Sequence, residues 1–311
     1  MKEKKWNLRV TVLKSLFIGF LFIAVPFLVR GQGEKKVLSL SEQIQAINLD
    51  STEIGVKLYY SQGYLERGIQ ISKQIENARL FYLDSLSIDA QIKIAMLDAA
   101  DYAKVSPGVP YGLPFVRNGI VMLPADTSIG AVKSMYAPFA NTASEEIMSN
   151  LKNAGFEYKD ALNFMVDLIG LHELGHAQIY SYGLDTKQKW FNEFMASYFG
   201  YAYMQVKEPN MVVIWDNITH AGFEGHIPKN NSLDIFNELY IGVGVADYVW
   251  FQNAFQERIR EIYPKKGVDF IRLVHERLSD STFKPETADE LLKLLEEIEP
   301  GFVKWADSLK K

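Results

Sequence analysis

Five residues, His172-Glu173-Leu174-Gly175-His176, combine the side chains and the spacing that metal-assisted hydrolysis needs. The run falls inside a helical pattern over Lys159 to Tyr180, which Gly183 should stop. Residues four apart on a helix share a face, with Cβ atoms roughly 5–6 Å apart. Two imidazoles at that spacing can hold one tetrahedral ion at about 2.0–2.1 Å each. Glu173 lies about 100° further round the helix, which makes it a poor third ligand. It is well placed to reach a water beside the ion, where a general base must act. The chain has only 5 histidines in 311 residues, and the chance of one H-E-x-x-H match is about 0.006. Coincidence is a poor explanation.

A catalytic zinc takes three protein ligands and keeps one position for water. The H-x-x-G-x-x-H continuation is missing, because position 182 is Tyr. Glu193, 17 residues beyond His176, is the favoured third ligand. The break at Ser181–Asp185 is short, so the helices on either side should pack as an antiparallel pair. His176 lies 7 residues before Gly183 and Glu193 lies 10 after it, giving axial offsets of roughly 10 and 15 Å. Those offsets put the two nearly level, and Ala196 would let the second helix approach closely. Asp185, Glu208, Glu224, His220 and His226 are rival ligands, all in or near loops.

Composition bounds the rest. There is no cysteine, which excludes disulfides, thiol nucleophiles, Cys-ligated zinc and iron–sulfur clusters. Any metal site is built from His, Asp and Glu. Net charge is −5 and no dense basic patch lies beyond the first fourteen residues, so a nucleic-acid partner is not suggested. Lys2, Lys4, Lys5 and Arg9 precede an apolar run to Val29, and Val29-Arg30-Gly31 offers a cut between Gly31 and Gln32. That is the pattern of a secretory signal peptide over residues 1–31, with an uncleaved anchor as the competing reading. From Ser15 only fifteen residues run without a charge, short of the roughly 20 a bilayer needs. An exported protein with no stable membrane span after cleavage is expected.

Residues 32–311 then read as mixed first and helical later. Lys35 to Glu53 looks polar and irregular, and Tyr64 to Leu86 carries a helical apolar stripe. Gln91 to Leu97 reads as a strand and Asp101 to Pro114 as a loop. Phe115 to Leu123 is a second extended segment, bent or hairpinned at Asn118-Gly119. Asp185 can cap a helix to about Val206, with a loop expected from Pro209 to Asn231. Ser232 should cap a helix to about Tyr263, Gly267 should start another to about Leu278, and a last helix should follow the capping box at Thr287. Tyr198, Phe199, Tyr201 and Tyr203 read as core, Glu296, Glu297 and Glu299 as a solvated face, and His275 as exposed.

His172-Glu173-Leu174-Gly175-His176 followed by Asn192-Glu193-Phe194-Met195-Ala196 resembles the gluzincins, the thermolysin-like zinc metallopeptidases. The resemblance implies an α+β, zincin-like fold of two subdomains. Residues 32–180 would hold a helix, a small mixed sheet with an edge strand and the active-site helix, and residues 181–311 a helical subdomain closing the cleft below. It implies a Zn2+ cofactor on His172, His176 and Glu193, with Glu173 as catalytic base, and a peptide or protein substrate cleaved internally. In that fold the edge strand pairs with an extended substrate, and Gly119 to Leu123 would line the cleft above the metal. Two features depart from the group. Ser197 stands where many members carry an acidic residue that supports a histidine, and the G-x-M-E-N signature of zinc aminopeptidases is absent. An oxyanion donor is also required, and His220, His226, Tyr240 and Tyr248 all remain open for that role. The competing expectations are a zincin-fold protein that binds metal as a non-catalytic binding or assembly module, and a closed metal site stapling two helices.

Overall fold

The computed structural model describes residues 38–279 and 285–310; the signal segment expected over residues 1–31 lies outside them. A five-stranded sheet is built from β1 (Asp50–Ile54), β2 (Val56–Tyr60), β3 (Lys93–Leu97), β4 (Phe115–Arg117) and β5 (Ile120–Pro124), in the spatial order β1-β2-β3-β5-β4. β2, β3 and β5 run parallel, and each outer strand is antiparallel to its neighbour. The parallel pair β2 and β3 is joined through the 22-residue helix α2 (Leu65–Leu86), as parallel strands require a crossover.

Four consecutive buried residues in β3, Ile94 to Leu97, show that this sheet is covered on both faces. Ile94 and Met96 join the main core, while Ala95 and Leu97 join a second, smaller one. The second face is covered by α1 (Leu40–Ala46) and α3 (Ala99–Val105), through Leu40, Ile44, Tyr102 and Val105. Both helices correct the sequence reading. From residue 38 on, the stretch expected to be an irregular lead-in is ordered: Ser39 and Glu42 form a capping box for α1, and β1 follows. The loop expected from Asp101 starts only after Val105, because Asp98 caps α3 through the Asp101 amide. Phe115 to Leu123, expected to bend or form a hairpin at Asn118-Gly119, forms the hairpin β4–β5, with both turn residues at positive φ. Its roles are reversed, however. β5 is bonded on both sides, and the sheet edge is β4.

The described residues after β5 form no strand. After α4 (Ala131–Tyr136) and α5 (Glu145–Asn153), the long helix α6 (Tyr158–Ser181) ends before Gly183, which takes φ +71°. α7 (Lys189–Lys207) returns antiparallel along α6. Its cap is Gln188, not Asp185, whose carboxylate instead accepts a hydrogen bond from Asn192 at 2.9 Å. Pro209 to Asn231 is a helix for most of its length. α8 (Pro209–Glu224) carries Pro209 in its first turn, where the missing N–H is no loss. Ser232 does cap a helix, α9 (Leu233–Leu239), but that helix stops at a 3₁₀ turn over Tyr240–Val243. Gly244 at φ +96° then resets the backbone for α10 (Val245–Lys266).

α11 (Asp269–Leu278), α12 (Ala288–Ile298) and α13 (Phe302–Leu309) finish the fold. Thr287 closes the expected capping box on α12. Glu297 is solvated, but Glu299 is buried and bonded to Lys265, and Glu296 accepts the Gly301 and Val303 amides at the start of α13. His275 is half-buried and stacks on Tyr182 at 3.8 Å, so it is not the free surface residue expected. Tyr198, Phe199, Tyr201 and Tyr203 are core residues, as read from the sequence. Among the described residues no helix is long and apolar enough to cross a membrane.

α6 and α7 meet more closely than ordinary helices can. A Cβ on Gly175 would lie 2.4 Å from the carbonyl oxygen of Ala196, and one on Gly200 would lie 3.3 Å from the His172 nitrogen. Gly175→Ala is therefore expected to force the pair apart, costing about 1–3 kcal/mol. The thermal midpoint should fall by roughly 2–4 °C for each kcal/mol lost. Gly242→Ala, whose Cβ would meet nothing closer than 3.7 Å, should leave it unchanged. Circular dichroism melts of the two variants check the difference.

Candidate metal centre

The α6–α7 contact brings three donors from two helices to one point. His172 and His176 face each other from successive turns of α6, with Nε2 atoms 3.1 Å apart. Glu193 Oε2, from α7, lies 3.3 Å from His172 Nε2 and 3.7 Å from His176 Nε2. A tetrahedral ion with ligands at about 2.0–2.1 Å holds its donor atoms about 3.3–3.4 Å apart. The observed triangle brackets that value, so the three residues fit a zinc-sized ion without rearrangement. Among the described residues this is the group of His, Asp and Glu side chains able to hold a metal. His172 and Glu193 are buried, while the His176 side chain is 24% exposed and forms the open side.

Each donor is oriented by a neighbour. Ser197 Oγ lies 3.0 Å from His172 Nδ1. Accepting the Nδ1–H there leaves the Nε2 lone pair facing the donor triangle. The position that departs from the gluzincin pattern thus supports the histidine with a hydroxyl instead of a carboxylate. Glu193 Oε1 accepts the Tyr240 hydroxyl, and Glu193 Oε2 accepts Gln252 Nε2 at 2.8 Å. Burial acts to raise the Glu193 pKa, but the two imidazoles outweigh it and hold the carboxyl well below its usual range.

Glu173 is turned to the sheet side of α6. The residue is 8% exposed, and its carboxylate accepts the backbone N–H of Val116, in the edge strand β4. Burial raises its pKa above the usual carboxylate value, and the His172 and His176 charges oppose that rise without cancelling it. A base needs that direction if it is to take up a proton near neutral pH.

Every other candidate named from the sequence is placed. Tyr240 reaches the centre directly, and Tyr248 reaches it through a hydrogen bond to Tyr240, their rings 5.7 Å apart. His220 is turned away, bonded to Glu257 at 3.0 Å and 3.4 Å from Glu224. His226 is held by Asp247 at 2.8 Å. Glu208 accepts from Gln74 and Tyr203, and Asp185 from Asn192. None of these joins the three donors. Gln252 was not foreseen, since nothing local marks a glutamine whose partner lies 59 residues away. Tyr240 had one readable sign, its place between a helix end and Gly242, although its φ of +53° is visible only in the structure.

Comparison with protein-family models, curated proteins and solved structures gives no match.

The centre has a pH signature. Burial lowers the His176 pKa, but the Glu193 carboxylate raises it further and leaves it at about 9. The metal-free ring is therefore protonated at pH 7–8, and an ion must displace that proton to reach Nε2. Zinc affinity should rise about tenfold per pH unit up to about pH 9. Calorimetry in buffers of different ionisation enthalpy should show one proton released per ion bound at pH 7–8. Affinity that does not change with pH in this window would contradict the assignment.

Proposed function

We propose that this chain is an exported zinc metallopeptidase that hydrolyses internal peptide bonds of a peptide or protein substrate. The observation that carries the reading is the donor triangle of His172, His176 and Glu193, sized for a tetrahedral ion, with Glu173 beside it on the same helix. His172, His176 and Glu193 would hold the ion. A bound zinc supplies Lewis acidity, polarising the substrate carbonyl and making water acidic enough to lose a proton at neutral pH. A closed structural site would need a fourth protein ligand, and the group among the described residues has three.

Glu173 takes a proton from the attacking water as its oxygen bonds to the carbonyl carbon. The same proton passes to the amide nitrogen as the C–N bond breaks, which returns Glu173 to its carboxylate form. The Val116 N–H keeps that carboxylate directed and ties the base to the sheet edge. β4 is the outer strand beside Glu173, and an extended peptide running along it would carry its scissile bond past Glu173. Of the four candidate oxyanion donors, Tyr240 and Tyr248 are the two whose hydroxyls stand beside the centre.

Digestion of an unbiased peptide library, read by mass spectrometry, tests this. Zinc-loaded protein should cleave, and Glu173→Gln should keep its zinc while losing at least about 100-fold in kcat/KM. Cleavage retained by Glu173→Gln would overturn the mechanism. No cleavage by the unaltered zinc-loaded protein would favour a zincin-fold module that binds metal without catalysis.

A further inference from the structure

Glu193 is a buried carboxylate whose two oxygens are both held by neutral donors from outside the zinc motif. Tyr240 bonds Oε1 and Gln252 bonds Oε2. The two arrive from different elements, the turn after α9 and the second turn of α10. Glu193 is 2% exposed, so water does not compete for either oxygen.

The terminal torsion of a glutamate is soft and roughly two-fold. Left alone, Glu193 would swing between offering one oxygen and offering both. A donor on each oxygen removes that freedom. Oε2 is the oxygen that lies 3.3 and 3.7 Å from the two imidazoles, and the Gln252 amide takes one of its lone-pair directions. Oε1 is held by the Tyr240 hydroxyl, itself bonded to Tyr248 one turn before Gln252 on α10. Gln252 carries no charge, so it orients Glu193 without neutralising the negative charge an ion needs from it.

Tyr240 shows how strongly this arrangement is enforced. It sits at φ +53° and ψ −120°, a conformation that disfavours an L side chain and costs about 1–3 kcal/mol. The backbone departs from its preference at the residue that places a hydroxyl on Glu193.

We infer that Gln252 is a positioning residue that fixes Glu193 to meet its ion through Oε2 alone, with Tyr240 restraining the other oxygen. This rests on the reading of His172, His176 and Glu193 as a metal centre. Gln256, one turn on, serves as a control. It is the same residue type on the same helix and is buried, but its amide points to Asp216 at 3.4 Å.

The test uses the full chain and two readouts besides activity: zinc affinity by chelator competition, and the visible spectrum of the cobalt-substituted protein. Gln252→Leu should bind zinc about 10–100-fold more weakly and show shifted cobalt bands. Gln256→Leu should keep the affinity and the spectrum of the unaltered protein. Should Gln252→Leu fail to fold, Gln252→Asn keeps the amide but is one methylene too short, and should show the same loss. A folded Gln252 variant with unaltered zinc affinity and cobalt spectrum would overturn the proposal, as would an equal loss in Gln256→Leu. Failure of the unaltered protein to bind zinc at all would overturn the metal-centre reading, and the positioning role with it.

Discussion

The contact of Gly175 with the backbone of Ala196 sets the distance between α6 and α7, and with it the distance from the two imidazoles to Glu193. A helix advances about 1.5 Å and turns about 100° per residue, so a one-residue slip of α7 would carry Glu193 out of the donor triangle. Gly175, Ala196 and Gly200 form a seam of small residues along which two backbones meet, and the seam fixes both spacing and register. The aromatic residues on the far side of α7 then hold it down. Phe194 packs on Phe270 and Phe302 at 6.3 and 5.7 Å, tying α7 to α11 and α13. The late helices thus brace the seam on which the site depends.

Two carboxylates and two imidazoles held together in a largely water-free space carry a large desolvation cost unless each has partners. The fold supplies partners from every side. Ser197 serves His172, the β4 backbone serves Glu173, and Tyr240 and Gln252 serve Glu193. These groups come from sheet, hairpin helix, 3₁₀ turn and α10, so the site draws together both parts of the chain. Neutral donors predominate around the acids. The negative charge is therefore left for an ion to balance, which is the electrostatic counterpart of the donor geometry.

What the sequence made legible was local or periodic. The i, i+4 histidines, the stop at Gly183 and the offset that levels Glu193 with His176 all follow from helix geometry, and they appear as expected. The errors have physical causes. Pro209 suggests a break in the chain, yet the first turn of α8 tolerates it, and the capping box at Ser39 lies within a polar stretch. The family resemblance places Gly119 to Leu123 along the cleft, but hydrogen bonding to both β3 and β4 makes β5 interior. Its fully buried residues, from Ile120 to Pro124, are the pattern of an interior strand. Gln252 and the commitment of Tyr240 to Glu193 arise from contacts across about fifty residues, for which no local pattern exists.

X-ray absorption at the zinc edge of the loaded protein tests the centre most directly. The expected spectrum shows four nitrogen and oxygen ligands at about 2.0–2.1 Å, two of them with imidazole scattering, and one oxygen that exchanges with solvent. A six-oxygen shell, a single imidazole, or four protein ligands with no exchangeable oxygen would contradict a hydrolytic zinc held by His172, His176 and Glu193.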